Sequence, residues 1–232
     1  MPEFMGVEQR RILHALDIDV WLPRDIAADA ATGVDGSEES LAADMDWSAL
    51  ESAVSACTQC SLHQTRKQTV FGGGDPAAQW MIVGEAPGAD EDRQGQPFVG
   101  KAGQMLNEML RALGLDRERV FIANILKCRP PNNRDPQVDE VASCMDFLRC
   151  QVALVKPQLI VAAGRIAAQH LLNEDKPVGQ LRGRVHSFAG PEQSTPVIVT
   201  YHPACLLRSP GQKRKAWEDL CLARSVCEAS GT

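Results

Sequence analysis

The chain has 232 residues and a mass of 25.2 kDa, with 44% hydrophobic and 23% charged residues, a composition able to enclose one sizeable α/β core. Collagen-like, coiled-coil and wholly disordered classes are excluded, and no run of about 18 uncharged apolar residues exists from which a membrane span is expected. The net charge of −6 is unevenly spread: residues 1–46 hold 11 acids and 3 bases, leaving 19 acids and 21 bases in residues 47–232.

Residues 1–24 read as a partner-binding segment or one that packs back on its own core: basic at Arg10 and Arg11, apolar at Leu13, Leu16, Ile18 and Trp21. Residues 25–46 carry seven acids and no base among Ala, Gly and Ser, and read as an acidic flexible linker too poor in large apolar groups to offset its ordering entropy. Residues 47–232 are expected to form the main domain. Residues 79–84, 119–125, 158–163 and 196–201 are short apolar strands. Helical spacing falls over 101–113, 138–155, 165–172 and 212–227. Alternating strands and helices predict an α/β fold, its parallel sheet covered on both faces and its site at the carboxyl ends of the strands. Three conspicuous segments lie there: Gly84-Glu85-Ala86-Pro87-Gly88, the stretch from Asn124 to Cys128, and His202-Pro203.

Eight cysteines in a chain without a secretory pattern predict a cytoplasmic protein whose thiols serve metal or redox chemistry rather than disulfides. Cys57 and Cys60 form a C-x-x-C, and Cys128 and Cys144 supply two further thiols. Four such groups suit zinc or a [4Fe–4S] cluster, and spacing alone leaves both open, as it leaves open that Cys128 and Cys144 are small buried apolar residues. Cys221 and Cys227, on the final helix, read as core.

Three strings now carry a resemblance: GEAPGADEDRQGQPFVGKAGQML (84–106), NILKCRPPNN (124–133) and HPACLLR (202–208). In this order, interleaved with the four cysteines, they resemble the family 4, iron–sulfur uracil-DNA glycosylases over roughly residues 47–228. The resemblance implies a three-layer α/β/α sandwich around a central four-stranded parallel sheet. It implies a [4Fe–4S] cluster on Cys57, Cys60, Cys128 and Cys144, and uracil-containing DNA as partner. The implied reaction is hydrolysis of the bond joining uracil to deoxyribose, after the nucleotide is flipped out of the helix.

Roles follow from the resemblance position by position. His202 is the donor to uracil O2, for which a neutral ring N–H suffices. Asn124 reads the base through its amide, and Phe98 stacks on it. Gly84 and Ala86 line the base site. Other branches carry aspartate where Ala86 stands, so water activation falls to Glu85, with Glu91 and Asp92 as alternatives. Glu91 is otherwise expected to wall the C5 side of uracil, since Gly88 takes the place of a bulky excluding residue. Leu206 is expected to wedge into the gap left by the flipped base, beside Leu207, with Arg208 on phosphate. Ala204 departs from a serine common in the family. Arg182, Arg184, Arg208, Lys213, Arg214 and Lys215 form a basic stretch suited to DNA. Residues 8–24 weakly resemble the N-terminal segment of the psi subunit of the bacterial clamp loader, implying a replisome contact. The expected enzyme is a monomeric glycosylase. Rival readings are a non-catalytic or covalent uracil-DNA binder, disfavoured by the direct run from Asn124 to Cys128, and a thiol-redox protein, which would leave Asn124 and His202 without purpose.

Overall fold

The structure, a computed structural model, describes residues 45–190 and 194–230. Residues 1–24 and nearly all of the 25–46 linker therefore lie outside the described residues. Asp46 is the N-cap of the first helix, its Oδ1 accepting the Ala49 N–H at 2.8 Å.

Helices α1 (Trp47–Ala56), α2 (Ala89–Gln94), α3 (Lys101–Ala112), α4 (Val138–Val155), α5 (Arg165–Leu172), α6 (Val178–Leu181), α7 (Pro203–Arg208) and α8 (Lys213–Ser230) surround one sheet. Its strands among the described residues are β1 (Gly73–Gly74), β2 (Trp80–Gly84), β3 (Val120–Asn124), β4 (Leu159–Ala163), β5 (Val185–Ala189) and β6 (Ser194–Thr200), in the order β1-β3-β2-β4-β6-β5. The parallel core β3-β2-β4-β6 is made of the four strands expected. The sheet has six strands rather than four, because β1 and β5 pair antiparallel on its two edges. Neither has an apolar run to announce it. β1 is a Gly-Gly pair, and β5 buries only Phe188, as an edge strand open to water allows.

Every residue of β2, β3 and β4 is buried, and their side chains alternate between two cores. Met81, Val83, Phe121, Ala123, Ile160 and Ala162 pack on one face with Leu50 and Val54 of α1, Val141 and Leu148 of α4 and Ala167 of α5. Trp80, Ile82, Val120, Ile122, Leu159 and Val161 pack on the other with Leu106 and Leu110 of α3 and Ala223 of α8. This is the expected covering of a parallel sheet by helices on both faces.

The register aligns the carboxyl ends. Gly84 pairs with Asn124, Ala163 with Thr200, and the Gly164 N–H donates to Thr200 O at 2.9 Å. Beyond the ladder, Ile125 and Leu126 donate to the carbonyls of Gly84 and Glu85 at 3.0 and 3.1 Å, so the tips of β2 and β3 stay zipped. α7, which begins just past β6, packs on α3.

Gly103 on α3 lies under the loop that enters this rim, where an added Cβ would sit 1.6 Å from the Phe98 carbonyl oxygen. Gly103→Ala is expected to destabilise the fold by about 3 kcal/mol. Calorimetry should read a Tm lower by roughly 6–12 °C; an unchanged Tm would show that the loop yields freely.

Candidate active site and cysteine cluster

Asn124 ends β3 and is 2% exposed, and its Oδ1 has no hydrogen-bond partner among the described residues. A buried, unpaired amide oxygen costs about 1–3 kcal/mol unless something occupies it. The space before it is kept open by Gly84, whose missing Cβ would lie 2.4 Å from that oxygen and 2.7 Å from Phe98 Cζ. Asn124, Gly84 and Phe98 thus meet, as expected.

Phe98 is buried and holds a left-handed backbone with φ of 53°, unusual for an aromatic residue. Its surroundings hold it there. Arg117 donates to the Phe98 carbonyl at 3.0 Å, to the Pro97 carbonyl at 2.6 Å and to Asn107 Oδ1 at 3.2 Å. Glu91 accepts the N–H groups of Val99 and Gly100 on Oε1, at 3.0 and 3.2 Å, and that of Gly88 on Oε2 at 3.1 Å. Both carboxylate oxygens of Glu91 are therefore committed to the loop, which it clasps. Asp92 is likewise committed. It is buried, and its Oδ1 accepts the Lys67 N–H at 2.9 Å.

The Phe98 ring stacks on His202 with centroids 5.5 Å apart and planes 28° apart. His202 caps α7, its Nδ1 accepting the Ala204 N–H at 3.1 Å. That bond places the ring proton on Nε2. Gly164, with φ of 101°, lets the β4 tip approach, since a Cβ there would lie 2.9 Å from that of His202. Burial, with help from Arg208 and against the pull of Glu91, lowers the imidazole pKa to about 4. At neutral pH His202 is an uncharged N–H donor.

Glu85 stands at the β2 tip. Burial raises its pKa, Asp135 adds to the rise, and Arg165 opposes it. Asp135 is placed from two sides. Arg165 Nη2 lies 2.6 Å from its Oδ2, and neighbouring Arg134 grips the buried Glu140 carboxylate with both guanidinium nitrogens, at 2.9 and 2.5 Å. A carboxylate held partly desolvated beside another is suited to accept a proton from water.

The wedge expectation requires correction. Leu206 is 1% exposed and belongs to the interior, whereas Leu207 is 43% exposed with Arg208 exposed beside it. Consecutive residues on a helix point about 100° apart, so α7 turns one leucine inward and the next outward. Arg182 is also taken, by Asp219, Glu218 and the Lys215 carbonyl, leaving Arg184, Arg208, Lys213, Arg214 and Lys215 exposed.

Cys57 follows α1, Cys60 opens the next turn, Cys128 lies beyond β3 and Cys144 on α4; all four thiols are free. Arg66 donates to Cys128 Sγ at 3.0 Å and to the Cys57 carbonyl at 2.8 Å, and the Lys127 N–H donates to Cys144 Sγ at 3.2 Å. Burial pushes the Cys144 thiol up to about 11, with Cys128 and Cys57 adding to the rise, and burial raises Cys128, with Cys60 and Cys57 adding to it. Arg66 thus ties the Cys128 thiol to the Cys57 backbone, and the Lys127 N–H ties the segment before Cys128 to Cys144. Among the described residues no three His, Cys, Asp or Glu side chains converge closely enough to hold a single metal ion. Cys227 packs into the core at α8, as expected, whereas Cys221 on the same helix is only half-buried.

The sequence reading missed Lys127. It is 1% exposed, and its Nζ donates to the Asn124 carbonyl at 2.8 Å and to Gln151 Oε1 at 2.6 Å. Burial lowers its pKa to about 8, against the thiols of Cys144, Cys128 and Cys150. A lysine directly after the apolar pair Ile125-Leu126 was the available signal.

Comparison with known proteins places the chain in a family. The uracil DNA glycosylase superfamily matches residues 71–221. A type-4 uracil-DNA glycosylase of Archaeoglobus fulgidus is 45% identical over 71% of this chain and 84% of its own. One from Pyrobaculum aerophilum is 41% identical over 77% of this chain and 93% of its own, and one from Sulfurisphaera tokodaii 40% identical over 76% and 83%. The chain belongs to the uracil-DNA glycosylase superfamily, and within it to the type-4 enzymes.

Proposed function

We propose that this base-excision repair glycosylase releases uracil from DNA by gripping the flipped base between the tips of β3 and β6. The observation that carries the reading is the buried Asn124 Oδ1, unpartnered and facing Gly84 and Phe98. It matches the N3–H of uracil, while the amide N–H₂ suits O4. Cytosine presents a lone pair at N3 and would leave that oxygen opposed, a cost of about 1–3 kcal/mol or more. Phe98 supplies the stacking surface.

As the C1′–N1 bond breaks, the bonding pair leaves with uracil, and His202 Nε2–H stabilises the charge on O2. A neutral imidazole loses little solvation in that pocket. Water bonds to C1′ and passes its proton to Glu85, leaving a hydroxyl on the sugar. Leu207 fills the gap in the stack, and Arg208 with Lys213, Arg214 and Lys215 faces phosphate.

The four cysteines fit a [4Fe–4S] cluster. They are free, largely screened from water, and two accept N–H bonds at sulfur, as thiolates in such centres do. When bound, the cluster supplies a covalent tie between α1, α4 and the segment after β3, since base hydrolysis moves no electrons. Contact of residues 8–24 with a clamp loader, the 25–46 linker, a monomeric state and a cytoplasmic location stand as proposals from sequence. Among the described residues no helix is long and apolar enough to cross a membrane.

Three outcomes test this reading. On a uracil-containing oligonucleotide developed with alkali, Asn124→Ala and His202→Ala should each lower the single-turnover rate about 10²–10³-fold; a wild-type rate in either defeats the assignment. The rate should fall as pH drops through the raised Glu85 pKa, because only its carboxylate takes a proton, whereas His202 stays neutral down to about pH 4. Glu85→Gln should be slow and lose that acid limb; a limb that persists assigns it elsewhere. Leu206→Ala should cost about 2–4 kcal/mol of stability. Leu207→Ala should leave the Tm within a degree or two yet slow excision from duplex DNA, and equal stability losses would reject the division of roles.

A further inference from the structure

We infer that Lys127 is a positioning residue for uracil recognition, its buried ammonium fixing the strand-tip peptide that aims Asn124. The inference rests on the reading of Asn124 as the base reader and of the four cysteines as cluster ligands.

The geometry is specific to the end of a strand. Asn124 is the last residue of β3, where a carbonyl ordinarily turns to water. Here that carbonyl accepts from Lys127 Nζ at 2.8 Å, inside the protein. Fixing the carbonyl fixes the peptide plane, and with it the direction in which the Asn124 side chain leaves the backbone. The second acceptor is Gln151 Oε1 on α4, and Gln151 is itself oriented by donating to the Phe71 carbonyl at 2.8 Å. The backbone of Lys127 is equally tied. Its N–H reaches Cys144 Sγ at 3.2 Å, its carbonyl accepts the Val70 N–H at 2.8 Å, and Cys128 follows it in the chain. One residue thus joins two of the four cysteines to the amide that meets the base.

Packing does not call for a charge at this point. Ile125 and Leu126, the preceding residues, are wholly buried and apolar. An ammonium taken from water costs several kcal/mol before its partners offset it, and a hydrophobic residue of similar volume is often neutral or better for stability. A placement that stability does not favour, with one donor on the carbonyl of the reading residue, points to orientation as its use. A misplacement of about 1 Å in a reacting constellation costs on the order of 10²-fold in rate.

The test uses the full-length, iron-loaded protein with Lys127→Met, the double variant Lys127→Met/Gln151→Met, Lys127→Arg and Asn124→Ala. The double variant leaves a buried apolar pair, and so remains foldable if the single variant is not. Iron content and absorbance near about 400 nm report the cluster. Single-turnover excision, KM for uracil-containing DNA and inhibition by free uracil report the site. The methionine variants should keep wild-type iron and a KM within about twofold, lose roughly 10–100-fold in single-turnover rate and be inhibited less by free uracil. Lys127→Arg, which keeps a cation, should recover part of the rate. A wild-type rate in an iron-replete methionine variant overturns the inference, and so does a loss of rate that only tracks loss of iron. A wild-type rate in Asn124→Ala instead defeats the underlying reading of the site, which separates the two failures.

Discussion

Three side chains from distant parts of the chain meet at this rim because two strand tips carry no side chain of their own. Gly84 at the end of β2 leaves room for the Asn124 amide and the Phe98 ring, and Gly164 past β4 leaves room for His202. A methyl at Gly84 would stand 2.4 Å from Asn124 Oδ1 and 2.7 Å from Phe98 Cζ, so one of these buried side chains would have to shift. The parallel register then does the rest, since it brings the tips of β2, β3, β4 and β6 to one edge.

Around that edge most charged groups hold backbone rather than face substrate. Glu91 fastens three N–H groups, Arg117 two carbonyls and Asp92 the Lys67 N–H. Glu91 and Arg117 hold Phe98 in a backbone conformation unusual for an aromatic residue, while Glu85 nearby has its pKa raised by burial and by Asp135. Desolvation acts oppositely on the two catalytic candidates, because it disfavours charge on both. It raises the carboxyl, making it a better base, and lowers the imidazole, keeping it neutral.

The same divided logic appears on α7. One face of six residues contributes Leu206 to the core, and the adjacent face presents Leu207 and Arg208. His202, at its start, is anchored by the helix it caps, so its ring and the exposed Leu207 belong to one short helical unit.

Much of the fold is legible in the sequence. The four parallel strands announce themselves as apolar runs because both faces of the sheet are covered. Asn124, His202 and the cysteines sit at conspicuous points in a pattern that resembles a known family. The edge strands were not legible, since a pair of glycines and a half-solvated strand carry no such pattern. Residue type likewise could not divide Leu206 from Leu207, or show that Glu91 and Asp92 spend their oxygens on backbone. The sequence by itself determined which groups exist and near which strand end each falls, because burial periodicity is local. Which acids bind backbone, which leucine points outward and that Lys127 grips the tip of β3 were decided only by the tertiary structure. Those properties depend on partners up to dozens of residues away in the chain, brought within hydrogen-bond reach by the sheet.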